Sequence, residues 1–144
     1  MSTIEVQVID KTDTVALSIR QKYSRVNVCD DERLALLVIA RLQPAVVLLH
    51  YDIHSDETGK YIRLLLKQSR KSKIIVIANN IAEEEILNCF MAGAKGFMPV
   101  ADINCFLSKA IKVVSKGEAW IKRHLVAGLF ASLRDEAAYA SRAA

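Results

Sequence analysis

Four short apolar runs each end in a residue that decides whether polar chemistry is possible there. Asp10 and Lys11 follow residues 4–9, His50 follows 45–49, Ala78 and Asn79 follow 74–77, and Val100 follows 96–98. An acid, an amine and an imidazole at the ends of neighbouring strands can form ion pairs, and a His50–Asp10 pair would be a pH-sensitive element. The plainer role for His50 is to fill space at the end of its strand. The rest of the chain offers little catalytic machinery. No nucleophile–base pair, metal-ligand cluster or glycine-rich phosphate loop is visible, so an enzyme ranks last among the function classes. His50, His54 and His124 lie far in sequence from Cys29, Cys89 and Cys105, which excludes zinc-type spacing. No cofactor is implied.

With 144 residues and 52% hydrophobic composition, the chain can bury the core of one compact domain. A formal charge of +4 is a modest excess and does not by itself imply nucleic-acid binding. Three cysteines, an odd number without paired spacing, fit reduced thiols in the cytoplasm. There is no secretory signal pattern, and no apolar run reaches the ~20 residues needed to cross a bilayer.

Strand-like and helix-like periodicities alternate. Strands are expected at 4–9 (β1), 25–29 (β2), 46–49 (β3), 74–77 (β4) and 96–98 (β5). Helices are expected at 14–23 (α1), at 31–41 (α2) with Asp31 as N-cap and Leu34, Leu37 and Val38 on one face, and at 61–69 (α3) after a polar loop over 51–60. Glu83, Glu84 and Glu85 suit the first turn of α4, whose inner face is Ile86, Leu87, Phe90 and Met91, and Gly93 stops it. Asp102 is placed to cap α5, which carries Ile103, Phe106, Leu107, Ala110, Ile111 and Val114 at helical spacing. A further helix, α6, is expected over 120–134, with a frayed tail beyond it. Alternating strands and helices with right-handed crossovers give an α/β, doubly wound, five-stranded parallel sheet. Sites in such sheets form at the carboxyl ends of the strands.

Residues 44–50 apart from the last, 73–77, 83–85, 92–97, and 117–120 continuing into 123–126 resemble the receiver domain of bacterial response regulators, more narrowly the NarL/FixJ (LuxR-type) family. The resemblance covers residues 4–130. It implies the flavodoxin/CheY-like strand order 2-1-3-4-5 with an additional C-terminal helix, and a role in signal transduction and transcription regulation through a two-component system. Receivers of this family place two acids after β1 and a phosphoaccepting aspartate after β3, which hold magnesium, with a hydroxyl residue after β4 and a lysine after β5. Of that set this sequence keeps Asp10. Lys11 replaces the second acid, His50 the acceptor, Ala78 the hydroxyl and Val100 the lysine. The resemblance is thus to a degenerate pseudo-receiver acting without phosphorylation. Asp52, two residues on, is the alternative acceptor. Phe97 stands where the family carries its switch aromatic, and is expected to sit inward.

In some members of this family a tryptophan, an apolar residue, a hydroxyl residue and an arginine bind cyclic di-GMP. Trp120-Ile121-Lys122-Arg123 matches except at Lys122, so a cyclic-dinucleotide sensor using Trp120 and Arg123 is the alternative reading. Leu125, Leu129 and Leu133 form a stripe on α6 that either folds back on the body or pairs with a second copy; Gly128 would permit close approach. A homodimer is expected through this helix or through the α4–β5–α5 face. Residues 1–117 would form the receiver-like domain, 118–134 the linker and dimerisation helix, and 135–144 a tail or truncated linker. A protein partner is possible, and DNA would be met only through an output domain beyond Ala144. Lys60, Arg63, Lys67, Arg70, Lys71 and Lys73 cluster around α3 as a solvated face or a surface for an acidic partner.

Overall fold

The computed structural model describes residues 4–11, 15, 25–51 and 57–143. The expected helix α1 and the alternative acceptor Asp52 fall outside these residues, apart from Val15. Five strands, β1 (Val6–Ile9), β2 (Val26–Cys29), β3 (Val46–His50), β4 (Lys73–Ala78) and β5 (Gly96–Pro99), form one parallel sheet in the order β2-β1-β3-β4-β5. Between and after them lie α2 (Glu32–Leu42), α3 (Thr58–Gln68), α4 (Glu83–Met91), α5 (Ile103–Ser115) and α6 (Arg123–Ala143).

Alternation along the strands builds two cores. Val6, Val8, Val46, Leu48, Ile75, Ile77 and Met98 pack with α5 on one face, and Ile9, Val47, Leu49, Ile74, Val76 and Phe97 pack on the other with α2, α3, α4 and Leu125 of α6. Side chains that alternate between two covered faces are what makes strand sequences read as unbroken apolar runs. Gln7 breaks this pattern: it is fully buried, and its Nε2 donates to the Val8 carbonyl at 3.2 Å.

Several helices differ from expectation. In α2 the buried residues are Ala35 and Ile39, while Leu37 is 70% exposed and Leu34 is exposed too. The i, i+4 pair with a small Ala35 lets the helix lie close to the sheet, and the leucines turn outward. Asp31 does cap this helix, its Oδ1 accepting from the N–H groups of Arg33 and Leu34 at 2.9 Å each. The α3 helix starts at Thr58, inside the expected loop, and buries Tyr61, whose hydroxyl donates to the Glu32 carbonyl at 2.6 Å. Asp102 makes no cap hydrogen bond: a 3-10 turn, Val100–Asp102, runs straight into α5, and Asp102 has φ −92 and ψ −4 rather than the extended backbone a cap requires. Gly93 does end α4, at φ 119, and a Cβ there would lie 2.5 Å from Leu66 Cδ1. The last helix begins at Arg123, not Trp120, and continues to Ala143 through the stretch expected to fray. Ala-rich sequence after Arg134 sustains it.

Candidate functional site

Ile9 pairs with Leu49, His50 with Ile77 and Ala78 with Pro99, so the register sets Asp10, His50 and Ala78 side by side at the carboxyl edge of the sheet. Asp10 and His50 are both almost fully buried. The Asp10 N–H donates to the Cys29 carbonyl at 3.0 Å, and Asp10 Oδ2 accepts from the Val15 N–H at 3.1 Å. By strand alternation His50 continues the row of Val46 and Leu48, toward α5, while Ala78 falls in the opposite core with Phe97. Lys11 is exposed: its ammonium stands in solvent rather than in the site, as the cost of burying an unpaired charge dictates. Val100 opens the 3-10 turn and packs partly buried against the α5-side core.

A receiver-type magnesium site needs several oxygen ligands. These positions supply one carboxylate that already accepts a backbone hydrogen bond, an imidazole and an outward lysine. They do not fit that ion, and among the described residues no group of three or more His, Cys, Asp or Glu side chains could hold a metal. A phosphoryl group would find neither hydroxyl nor ammonium at Ala78 and Val100.

The polar contacts that do organise this end of the sheet were not foreseen. Tyr51, directly after His50, is buried; its hydroxyl donates to Glu85 Oε2 at 2.7 Å, and its carbonyl accepts from Thr58 Oγ1 at 3.5 Å. Glu83, two residues earlier in the same first turn of α4, meets His124 Nε2 of α6 at 3.1 Å. The first turn of α4 is therefore tied to β3 on one side and to α6 on the other. Three glutamates in a row were legible as a helix start, but which of them would find a phenol or an imidazole was not. Cys89 lies beneath this turn, where burial, with the Glu85 carboxylate nearby, pushes its thiol up to about 11.

Phe97 is buried at 7% exposure, and its N–H donates to the Trp120 carbonyl at 3.0 Å. The Trp120 N–H in turn donates to Lys95 at 2.9 Å, so residues flanking Trp120 lie alongside β5 in a short parallel bridge through Gly96. A Cβ on Gly96 would be 3.2 Å from Ile75 Cγ1 and 3.3 Å from Trp120 Cβ, which is why glycine stands there. The Trp120 ring lies 6.3 Å from that of Phe106, so it packs toward α5 and not onto α6.

Two shallow clefts flank Lys122. One, of about 200 Å³, is lined in part by Asn79, Asn80, Phe97, Lys122 and His124; the other, of about 230 Å³, by Asp102, Phe106, Trp120, Ile121 and Lys122. Arg123, exposed in the first turn of α6, lines neither. Among the described residues Trp120 and Arg123 share neither of these clefts, and the two clefts lend the cyclic-dinucleotide alternative no support.

No protein-family model and no curated protein matches the sequence. Solved structures do match. A two-component response regulator of the LuxR family from Aurantimonas sp. SI85-9A1 superposes with TM-score 0.74 at 17% identity, over 91% of this chain and 98% of that one. The receiver domain of the response regulator NarL from Mycobacterium tuberculosis gives TM-score 0.70 at 20% identity, over 82% and 100%. The isolated receiver domain of RcsB from Salmonella enterica serovar Typhimurium gives 0.71 at 16%, over 89% and 99%. With its 2-1-3-4-5 parallel sheet and flanking helices, the chain has the α/β, CheY-like fold of response-regulator receiver domains.

Proposed function

We propose that this chain is a signalling module of the two-component type that has given up phosphorylation and acts through contacts made by its surface, chiefly as a homodimer. The observation that carries the first part is the site itself. By the resemblance to receiver domains, Asp10, His50, Ala78 and Val100 correspond to the residues that would hold a metal and a phosphoryl group, and they offer a single carboxylate in place of several oxygen ligands and no ammonium counter-charge. A fixed α4, held by Tyr51 and His124, and a buried Phe97 accord with a domain that stays in one state.

The dimer reading rests on α6. Its inner side folds back on the body: Leu125 enters the core, and Gly128 lets the helix approach α4 so closely that a Cβ would lie 3.2 Å from Leu87 Cδ1. Away from that contact α6 keeps Phe130 at 63% exposure and, further along the Leu125–Leu129 stripe, Leu133 at 46%, large apolar residues that a second copy would cover. The α4–β5–α5 face is partly occupied by the chain's own 119–125 segment and α6, so α6 is the better surface for self-association.

Two experiments test this. The 144-residue chain treated with beryllofluoride and magnesium should show no amide shift around His50, and acetyl phosphate should add no mass; a stoichiometric phosphoprotein would sink the reading. Sedimentation equilibrium across a concentration series should give a dimer that Phe130→Glu dissociates.

A further inference from the structure

The chain's positive charge is concentrated in one place. Between positions 57 and 73 six basic residues, Lys60, Arg63, Lys67, Arg70, Lys71 and Lys73, stand against one acid, Glu57. That stretch carries +5 where the whole chain carries +4, so everything else together is slightly negative. A dispersed solvated surface would not segregate charge this way. Glu57 is 3.8 Å from Lys60, and among the described residues Arg63, Lys67, Arg70 and Lys71 have no acidic partner of their own. All four are exposed.

The ridge is bordered by apolar surface on one side and a cleft on the other. Arg63 and Lys60 line a cleft of about 250 Å³ with Gly59, Asn88 and Met91, between α3 and α4. On the opposite flank Tyr61 reaches α2 through its bond to Glu32, and helical spacing sets Leu64, 45% exposed, on that same flank. Across from it α2 presents Leu37 outward, a leucine that the sequence pattern would have buried, while Leu34 lies on the side of α2 away from Gln43, the residue that bonds Gln68 of α3. Cations beside the exposed Leu64 and the outward Leu37 ask for a ligand that is both acidic and apolar. A phosphate backbone supplies only the first, and the ridge carries no aromatic side chain on which a base could stack.

We infer that the α2–α3 surface is a docking site for an acidic amphipathic helix of a partner protein, its carboxylates on Arg63 and Lys67 and its apolar row on Leu37 and Leu64. The surface is separate from α6 and goes beyond self-association; it holds whether or not the chain dimerises.

The test uses the full chain and a fluorescent peptide of about 18 residues, five helical turns, with leucine and glutamate on opposite faces. Binding is expected, weakened as salt rises from ~50 to ~300 mM. Arg63→Glu with Lys67→Glu should lower affinity about tenfold or more, and Leu37→Ser with Leu64→Ser several-fold, with circular dichroism unchanged because all four side chains are exposed. A peptide with serine in place of leucine should bind more weakly. Equal binding of the serine peptide, tighter binding of a DNA duplex of equal charge, or no binding at all would overturn the inference. Phe130→Glu in α6 should leave peptide affinity untouched even where it abolishes the dimer, so failure of either proposal is read separately.

Discussion

The Tyr51 hydroxyl donates to the Glu85 carboxylate at 2.7 Å, joining the residue after β3 to the first turn of α4. The phenol is buried, so the bond to an ionised acceptor sits where water competes poorly for it. Tyr51→Phe removes it while keeping the ring. The expected loss is about 1–2 kcal/mol in urea unfolding, together with faster amide exchange in the first turn of α4. Unchanged exchange there would show that His124 alone fixes the helix.

Acid should loosen α2 before the sheet. The Asp31 carboxyl is held below the usual carboxylate range, first by the Leu34 N–H and then by that of Arg33. Because the folded-state value is depressed, the cap's contribution is present above the unfolded value near 3.8 and is lost as pH falls through the folded one. Amide exchange at Arg33 and Leu34 is expected to accelerate below that value, and Asp31→Asn, which keeps the acceptor oxygen without the charge, should flatten the dependence.

The three thiols should react in sequence. Cys105 is exposed, whereas Cys29 and Cys89 are buried, and Cys89 is held protonated by its surroundings up to about 11. Iodoacetamide at pH 8 is expected to modify Cys105 alone in the native protein and all three in denaturant, as counted by intact mass. Native modification of Cys89 would mean that α4 opens readily.

Gly128 sets how closely α6 lies on α4. Gly128→Ala adds one methyl against the mobile end of Leu87, while gaining up to ~1 kcal/mol of helix propensity, so its melting temperature should barely move. Gly128→Leu has no room there and is expected to lift α6 from α4, exposing Leu125 and breaking the His124–Glu83 contact. Dye binding to newly exposed apolar surface would report it.

Phe97 fills the core beside Ala78. Phe97→Ala should cost about 3–5 kcal/mol. If the ring instead rotated to solvent as part of a switch, its removal would cost far less.

The two-faced sheet and the limits of α4 were legible because each rests on a local periodicity, a run of glutamates or a stop residue such as Gly93; strand order came only through the resemblance to receiver domains. The substituted positions 10, 50, 78 and 100 were also legible as types at the ends of strands. What was not legible depended on choices between equivalent local options. α2 has two candidate faces, and only its approach to the sheet selects Ala35 and Ile39 over the larger leucines. Asp102 satisfies the rule for a cap, but a 3-10 turn feeding α5 removes the need for one. Tyr51, Tyr61 and His124 meet their partners across 34, 29 and 41 residues of sequence, and no spacing rule connects residues so far apart.

The bridge between Gly96 and Trp120 bears on aggregation. An outer strand normally shows a row of open amides and carbonyls to any other chain that can extend the sheet, the route by which folded proteins pass into fibres. Here the Phe97 N–H and the Lys95 carbonyl are already taken by Trp120, so the β5 margin is sealed by the chain's own backbone. Intermolecular strand addition would have to displace that bridge. Among the described residues the opposite margin, the four-residue β2, carries no such bridge.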